Sequence, residues 1–527
     1  MSEPPEPVPE AGWRRLDRRT LLVTALVMAG VVGGAGVPVV VGLSGRLGLG
    51  AALGWAAAGA VLLIACGTGG DYIRWRRTRY RIGPERAELH TGLFVVKRRS
   101  LARERIRSVD LTAHPLLRIL GLVKVRIGTG EHTGGDSTLE LEPVTRAEGE
   151  WLRTQLLDRA PGAPGAHREG TLAALDLRWI RYAPISFLAP LLGGAAVGGL
   201  FQVSDWFGVQ ARMVRRLGDL FRDTPLGWVV VAVAVVVGLA GIVGALGLWT
   251  EMWWNYRLER EPGGTLRVRR GLFTSRSVSI EERRLRGVEL VEPLGVRLVG
   301  AARLDAVATG LAQDEEDKHA DHKTLLPAAP RALADSVAAQ VLREPESPTR
   351  TAVLTPHPRA ARGRRLRWSL AAALAPAALL ALLGPLLTDV LLYAAAVCAV
   401  VLVPVAVALA LDAYRNLGHG LGGGYLVVRS GTLRRTTVAL QRGGVIGWTV
   451  KRSYFQRRAG LLTLTATTAA GEGAYHVYDA AQAEGLAFAA RAVPGLLEPF
   501  LVRDGVRDPV GDSVRDDDAP GRTRRTD

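Results

Sequence analysis

Cysteine is almost missing from this chain. Its 527 residues hold two, Cys66 and Cys398, both inside apolar runs, so a disulfide framework is not expected. No Gly-rich phosphate loop, zinc-ligand spacing or nucleophile motif occurs. Nothing in the sequence therefore asks for an enzyme, a cofactor or a resident metal. Charge is missing too, from six long stretches. A proton- or ion-coupled transporter would carry buried ionisable groups midway along such stretches, and their scarcity argues against transport. A transporter or lipid-moving protein with regulatory modules is the alternative reading. Lysine is scarce, the basic residues being mostly arginine. Part of that excess reads as compositional bias.

What is present is basic and apolar at once: a net charge of +17 with a positive mean hydropathy. This combination fits a membrane protein better than a nucleic-acid binder, and no nucleic-acid partner is expected. A hydrocarbon core of about 30 Å needs roughly 20 apolar residues of helix. The stretches 21–43, 47–68, 182–203, 225–250, 368–387 and 390–411 meet this, in three closely spaced pairs. The first is too long for a cleaved signal peptide, and a second follows closely. Arginine flanks set the orientation. Arg14, Arg15, Arg18 and Arg19 precede the first stretch, Arg74, Arg76, Arg77 and Arg79 follow the second, and Arg362, Arg364, Arg365 and Arg367 precede the fifth. Both termini and all soluble units are thus expected on the cytoplasmic side of the membrane. The middle hairpin loop, 204–224, breaks the pattern with Arg212, Arg215, Arg216 and Arg222. Its apolar spacing suggests a short amphipathic helix on the outer surface, the alternative being a solvated loop.

A repeat follows each pair. Gly92–Gly121, Gly271–Gly300 and Gly431–Gly460 are each 29 residues apart. Arg118, Arg297 and Arg457 fall three residues before the closing glycine, and Leu101, Ile280 and Leu440 nine after the opening one. A fixed register means one structural unit used three times. Period-two alternation such as Leu266/Val268 and Val278/Ile280 predicts strands. The opening glycines predict hairpin turns and the closing ones a further turn. Amphipathic helices are predicted at about 145–158, 330–343 and 479–493. The resulting organisation is a tail 1–19, hairpin 20–68, module 69–160, linker 161–180, hairpin 181–250, module 251–344, linker 345–366, hairpin 367–412, module 413–502 and a disordered tail 503–527.

In the first two modules the pattern reads GLFVVKRRSLARERIRSV and GLFTSRSVSIEERRLRGV. It resembles the second class of bacterial PH-like domains, and three such modules on six spans resemble the YdbT-like membrane proteins. The third module departs, with Thr432 and Trp448 in place of the Leu and Val. The resemblance implies three cytoplasmic α+β PH-like split barrels, each with a C-terminal helix, on six membrane helices. It implies no catalytic activity. It implies a role in envelope maintenance or stress defence, and a companion membrane protein with one PH-like module as partner.

The strongest functional candidates are the basic hairpins: Lys97, Arg98 and Arg99; Arg267, Arg269 and Arg270; Arg434 and Arg435. Near an anionic leaflet each such cation contributes about 1 kcal/mol of attraction, and arginine can grip a phosphate with two hydrogen bonds. Lipid headgroups are the expected ligands of a non-enzymatic scaffold that binds lipids or proteins. The cluster Asp314–Lys323, with His319 and His322, reads as a solvated loop before it reads as a metal site. Small residues such as Gly30, Gly33, Gly193, Gly194, Gly198 and Gly199 would let the spans pack closely, in one bundle or an oligomer.

Overall fold

The computed structural model describes residues 12–83, 85–92, 97–106, 108–128, 138–157, 170–185, 188–206, 209–309, 323–497 and 499. The His319/His322 cluster, the tail 503–527 and the turn residues 93–96 lie outside them. Five described helices are long and apolar enough to cross a membrane: α1 (Thr20–Leu47), α2 (Leu49–Arg77), α7 (Leu226–Trp253), α11 (Arg359–Leu387) and α12 (Val390–Arg415). Large apolar side chains such as Val31, Leu62, Val236, Leu382 and Val400 stand exposed along them. The third apolar stretch forms the shorter α5 (Leu188–Trp206), so five helices rather than six meet the requirement. α6 (Gln210–Leu220) links α5 to α7, where the apolar spacing of the loop predicted a helix. Helices pack as α1 with α2, α5 with α7 and α11 with α12, and no contact between hairpins matches those within them.

Each hairpin leads into a module with one plan: strands, a 3-10 turn, more strands, then a helix. The first module has β1 (Arg14–Arg15), β2 (Arg79–Ile82), β3 (Arg86–Thr91), β4 (Lys97–Ala102), β5 (Ser108–Ala113), α3 (Pro115–Ile119), β6 (Leu122–Gly128), β7 (Thr138–Thr145) and α4 (Arg146–Leu157). The second has β8 (Gly170–Ala174), β9 (Arg257–Glu261), β10 (Thr265–Arg270), β11 (Ser275–Glu281), β12 (Leu285–Pro293), α8 (Leu294–Leu298), β13 (Ala301–Ala308), β14 (Thr324–Pro330) and α9 (Arg331–Leu342). After α10 (Pro348–Thr351) the third has β15 (Gly418–Gly422), β16 (Tyr425–Ser430), β17 (Arg434–Gln441), β18 (Val445–Lys451), α13 (Tyr454–Arg458), β19 (Leu461–Thr468), β20 (Ala474–Ala481) and α14 (Gln482–Ala492).

The repeat glycines hold equivalent places. Gly92, Gly271 and Gly431 have φ of 152°, 114° and 100°, where side chains are disfavoured. At Gly271 a Cβ would lie 1.9 Å from the Thr274 carbonyl oxygen, so the turn admits only glycine. The closing glycines end the one-turn helices α3, α8 and α13 in the left-handed region. Each then accepts a hydrogen bond of 3.0 Å on its carbonyl from the first residue of the C-terminal helix, Arg146, Arg331 or Gln482. One glycine thus ends a short helix and docks the start of the long one.

Inside each module the alternating strands bury one face. In the first, Tyr80 and Leu89 from β2 and β3 meet Val109, Val125, Ile127 and Leu141 from β5–β7, closed by Leu152 and Leu156 of α4. The modules are not separate barrels side by side. β5 pairs antiparallel with β11, giving one seven-stranded sheet in the order β7-β6-β5-β11-β10-β9-β8. β12 pairs with β17 in the same way, giving a six-stranded sheet β14-β13-β12-β17-β16-β15. The second half of one module is therefore continuous with the first half of the next. The segments read as tail and linker join in: β1 pairs with β2, β8 with β9, and Thr355 bridges to His419 of β15.

Candidate headgroup site

The end of α2 carries Arg74, Arg76 and Arg77 within one turn, where cations also complement the helix dipole. Thr78 then leaves the helix with extended backbone and β2 begins. β1 from the N-terminal segment pairs with β2, setting Arg15 opposite Arg79. β3 and β4 follow, setting His90 opposite Arg98. These placements converge on an open cleft of about 730 Å3 lined by Arg15, Arg76, Arg77, Arg79, His90 and Arg98, with Tyr72 and Ile73 of α2 at its apolar end. Among the described residues that line it there is no carboxylate. A cationic pocket against the end of an apolar helix offers an anionic headgroup its charge partner and its acyl chain a surface.

A neighbouring cleft of about 340 Å3 holds Arg74, Lys97 and Arg99 together with Glu140 and Glu142. Here two carboxylates share the cleft with the cations, Glu142 held by Arg74 at 3.3 Å and Glu140 by Lys124 at 3.0 Å, and they would repel an anion. The first cleft is the better anion site.

The hairpin cations part into two groups. Lys97, Arg98 and Arg269 are exposed and Arg434 is half exposed, 4.0 Å from Glu289. Arg267 is not available to a ligand. It is 2% exposed, and its guanidinium closes on Glu150 of α4 at 2.6 Å, Glu261 at 3.1 Å and Ser277 Oγ at 2.8 Å. Arg270 is buried over the Trp253 ring, 4.4 Å from its centroid. Arg435 makes a two-pronged contact with Glu292 of the preceding module, at 2.7 and 2.8 Å. A guanidinium that has closed a carboxylate has no fork left for phosphate, so Arg267 and Arg435 hold the modules together instead, while Arg270 packs β10 against the end of α7. Arg76, Arg77 and Arg79, whose place after the second apolar stretch points to orientation, line the cleft as well. The sequence signal that they belong to a site was their position between an apolar stretch and the first strand.

The hairpin turns of the later modules are hooked to the ends of their helices. Glu251 of α7 accepts the backbone N–H groups of Phe273 and Thr274, each at 2.9 Å. Asp412 of α12 accepts from Thr432 Oγ1 at 2.8 Å. Phe273 and Leu433 stand exposed on these turns, beside the membrane helices.

Apolar helices too long for a small soluble core, joined three times over to a strand–strand–helix module, define a membrane protein built on PH-like repeats. The family described as bacterial PH domain matches residues 30–160, 201–345 and 371–491, and the chain belongs to that family. It is also similar to the transmembrane protein YdbT of Bacillus subtilis (strain 168), 35% identical over 77 residues. That match spans 14% of this chain and 16% of the relative. No solved structure matches.

Proposed function

We propose that this protein is a non-enzymatic scaffold of the bacterial plasma membrane. Its three joined modules lie against the cytoplasmic leaflet, and the first holds anionic lipid headgroups in the Arg76/Arg79/Arg98 cleft. In this reading α5 is the sixth span. Its 19 residues extend about 28 Å at 1.5 Å per residue, close to the hydrocarbon thickness. Both ends of each hairpin return to the module side, and the arginine flanks put that side in the cytoplasm.

The convergence of Arg15, Arg76, Arg79 and Arg98 on one cleft beside the apolar end of α2 carries the proposal. It is tested on the chain purified in detergent, by native mass spectrometry with phosphatidylglycerol or phosphatidylcholine added. Preferential retention of phosphatidylglycerol is expected. Arg76→Ser/Arg79→Ser/Arg98→Ser should abolish the preference, since three cations at about 1 kcal/mol each are removed. Equal retention of the two lipids by the unaltered chain would sink the headgroup reading and leave protein binding as the scaffold's task.

A further inference from the structure

The two junctions between modules are the same joint made twice. At the first, Arg276 pairs with Thr112 and Ile280 with Ser108. At the second, Leu440 pairs with Gly287. Counted from the opening glycines Gly92, Gly271 and Gly431, both joints set the ninth residue of the later module against the sixteenth of the earlier one. The strands that make these joints are covered: β11 and β12 are buried along most of their length and β17 along half of it. Their counterparts at the two ends of the chain are β4 and β18. Each is the last strand of its sheet among the described residues, and each is largely exposed. Ile446 and Val450 of β18 are 62% and 40% exposed.

Two further residues point the same way. Gly287 lies so close to β17 that a Cβ there would meet the Ala439 carbonyl oxygen at 2.0 Å. Its counterpart Gly447 faces open space. Arg118 donates to the Leu272 carbonyl of the next module and Arg297 to Asp412 at 2.8 Å, at the end of the helix that leads into the next module. Their counterpart Arg457 is exposed.

We propose that β18 of one copy pairs antiparallel with β4 of a second copy, repeating the internal joint between chains. The common register sets Leu101 opposite Gly447, Arg99 opposite Thr449, Arg98 opposite Val450 and Lys97 opposite Lys451. Backbone pairing along an exposed edge supplies the attraction, as in strand addition generally. Because the two surfaces differ, the contact is head-to-tail and gives a ring where the rotation closes or a filament where it does not. Lys97 opposite Lys451 works against the joint. Salt screens that repulsion, so association strengthens as ionic strength rises.

The test uses the chain in its native membrane, with Cys66→Ala and Cys398→Ala. Lys97→Cys and Lys451→Cys are placed together, and oxidation is expected to give disulfide-linked dimers and higher multiples. Thr112→Cys with Arg276→Cys occupies the same positions at an internal joint and should close within one chain. Lys97→Cys with Val450→Cys, directed to opposite sheet faces, should link at least tenfold less. Gly447→Ile should remove the links without lowering the melting temperature. The proposal is overturned if the internal pair closes while the Lys97/Lys451 pair stays monomeric, or if the latter links equally well in either register. Linkage of the Lys451→Cys position to a different protein instead of a second copy also overturns it.

Discussion

Glycine shows how far single residues were legible. The three opening and three closing glycines were readable from spacing alone, because a residue at positive φ constrains its neighbours and repeats with them. The glycines of the membrane helices were not. Gly30, Gly33, Gly194, Gly198 and Gly199 would each meet open space if given a Cβ, whereas at Gly193 a Cβ would lie 1.9 Å from the Val237 carbonyl oxygen. Only Gly193, of that set, lets two helices touch, α5 against α7. Composition marks small residues but not which one faces a neighbour. Gly193→Val should cost about 1–3 kcal/mol or force the pair apart, while Gly194→Val should be near neutral. Thermal unfolding of the two variants in the same detergent measures the contrast, and equal melting temperatures would refute the contact.

Strands and helices were mostly legible, since alternation and amphipathic spacing are local signals. The pairing partners were not, because β5 joins β11 across more than a hundred residues and nothing in either strand names the other. The joint leaves a chemical mark. Asp110 of β5 is buried at the first junction, accepting from the Ser279 backbone N–H, and burial pushes its carboxyl up to about 7 despite the opposing charge of Arg126. Glu289 holds the equivalent place at the second junction and is also raised, by burial and then by Asp305. Elsewhere His419 of β15 and His357 of the preceding segment stack edge to face, with ring nitrogens 3.0 Å apart. Burial and then the neighbouring His357 lower His419 to about 4.

The signs are opposite. With a raised folded pKa, Asp110 stabilises fully below the ordinary value of 3.8 and that stability is lost as pH rises toward about 7. With a lowered folded pKa, His419 stabilises above 6.5 and loses this as pH falls toward about 4. Hydrogen exchange, corrected for intrinsic rates, should show the amides of β5 and β11 opening more readily at pH 8 than at pH 6. Those of β15 should open more readily at pH 5 than at pH 7. Asp110→Asn should flatten the first trend, and its persistence in that variant would place the cause elsewhere.

At the scale of the molecule the modules share their sheets, and this decides how they fail. The family resemblance describes one barrel at a time, so it implied three units on three hairpins. The covalent repeat shows the units, but the noncovalent joint between them rests on pairs that no local pattern contains. Arg267, drawn from the sequence as a candidate for lipid contact, binds Glu150 of the neighbouring module and Glu261 of its own, with Arg153 also reaching Glu261 at 2.6 Å. Removing one partner of a buried pair strands the others, at a cost of about 3 kcal/mol, reduced here because Glu150 is about a third exposed. In a protein of separate barrels, Arg267→Ala would loosen only the second module. In this one the loosening should cross the joint, raising exchange in β5 and β6 as well as in β10 and β11, while β19 and β20 stay as protected as before. Exchange confined to β9–β14 would mean that the continuous sheet does not couple the modules.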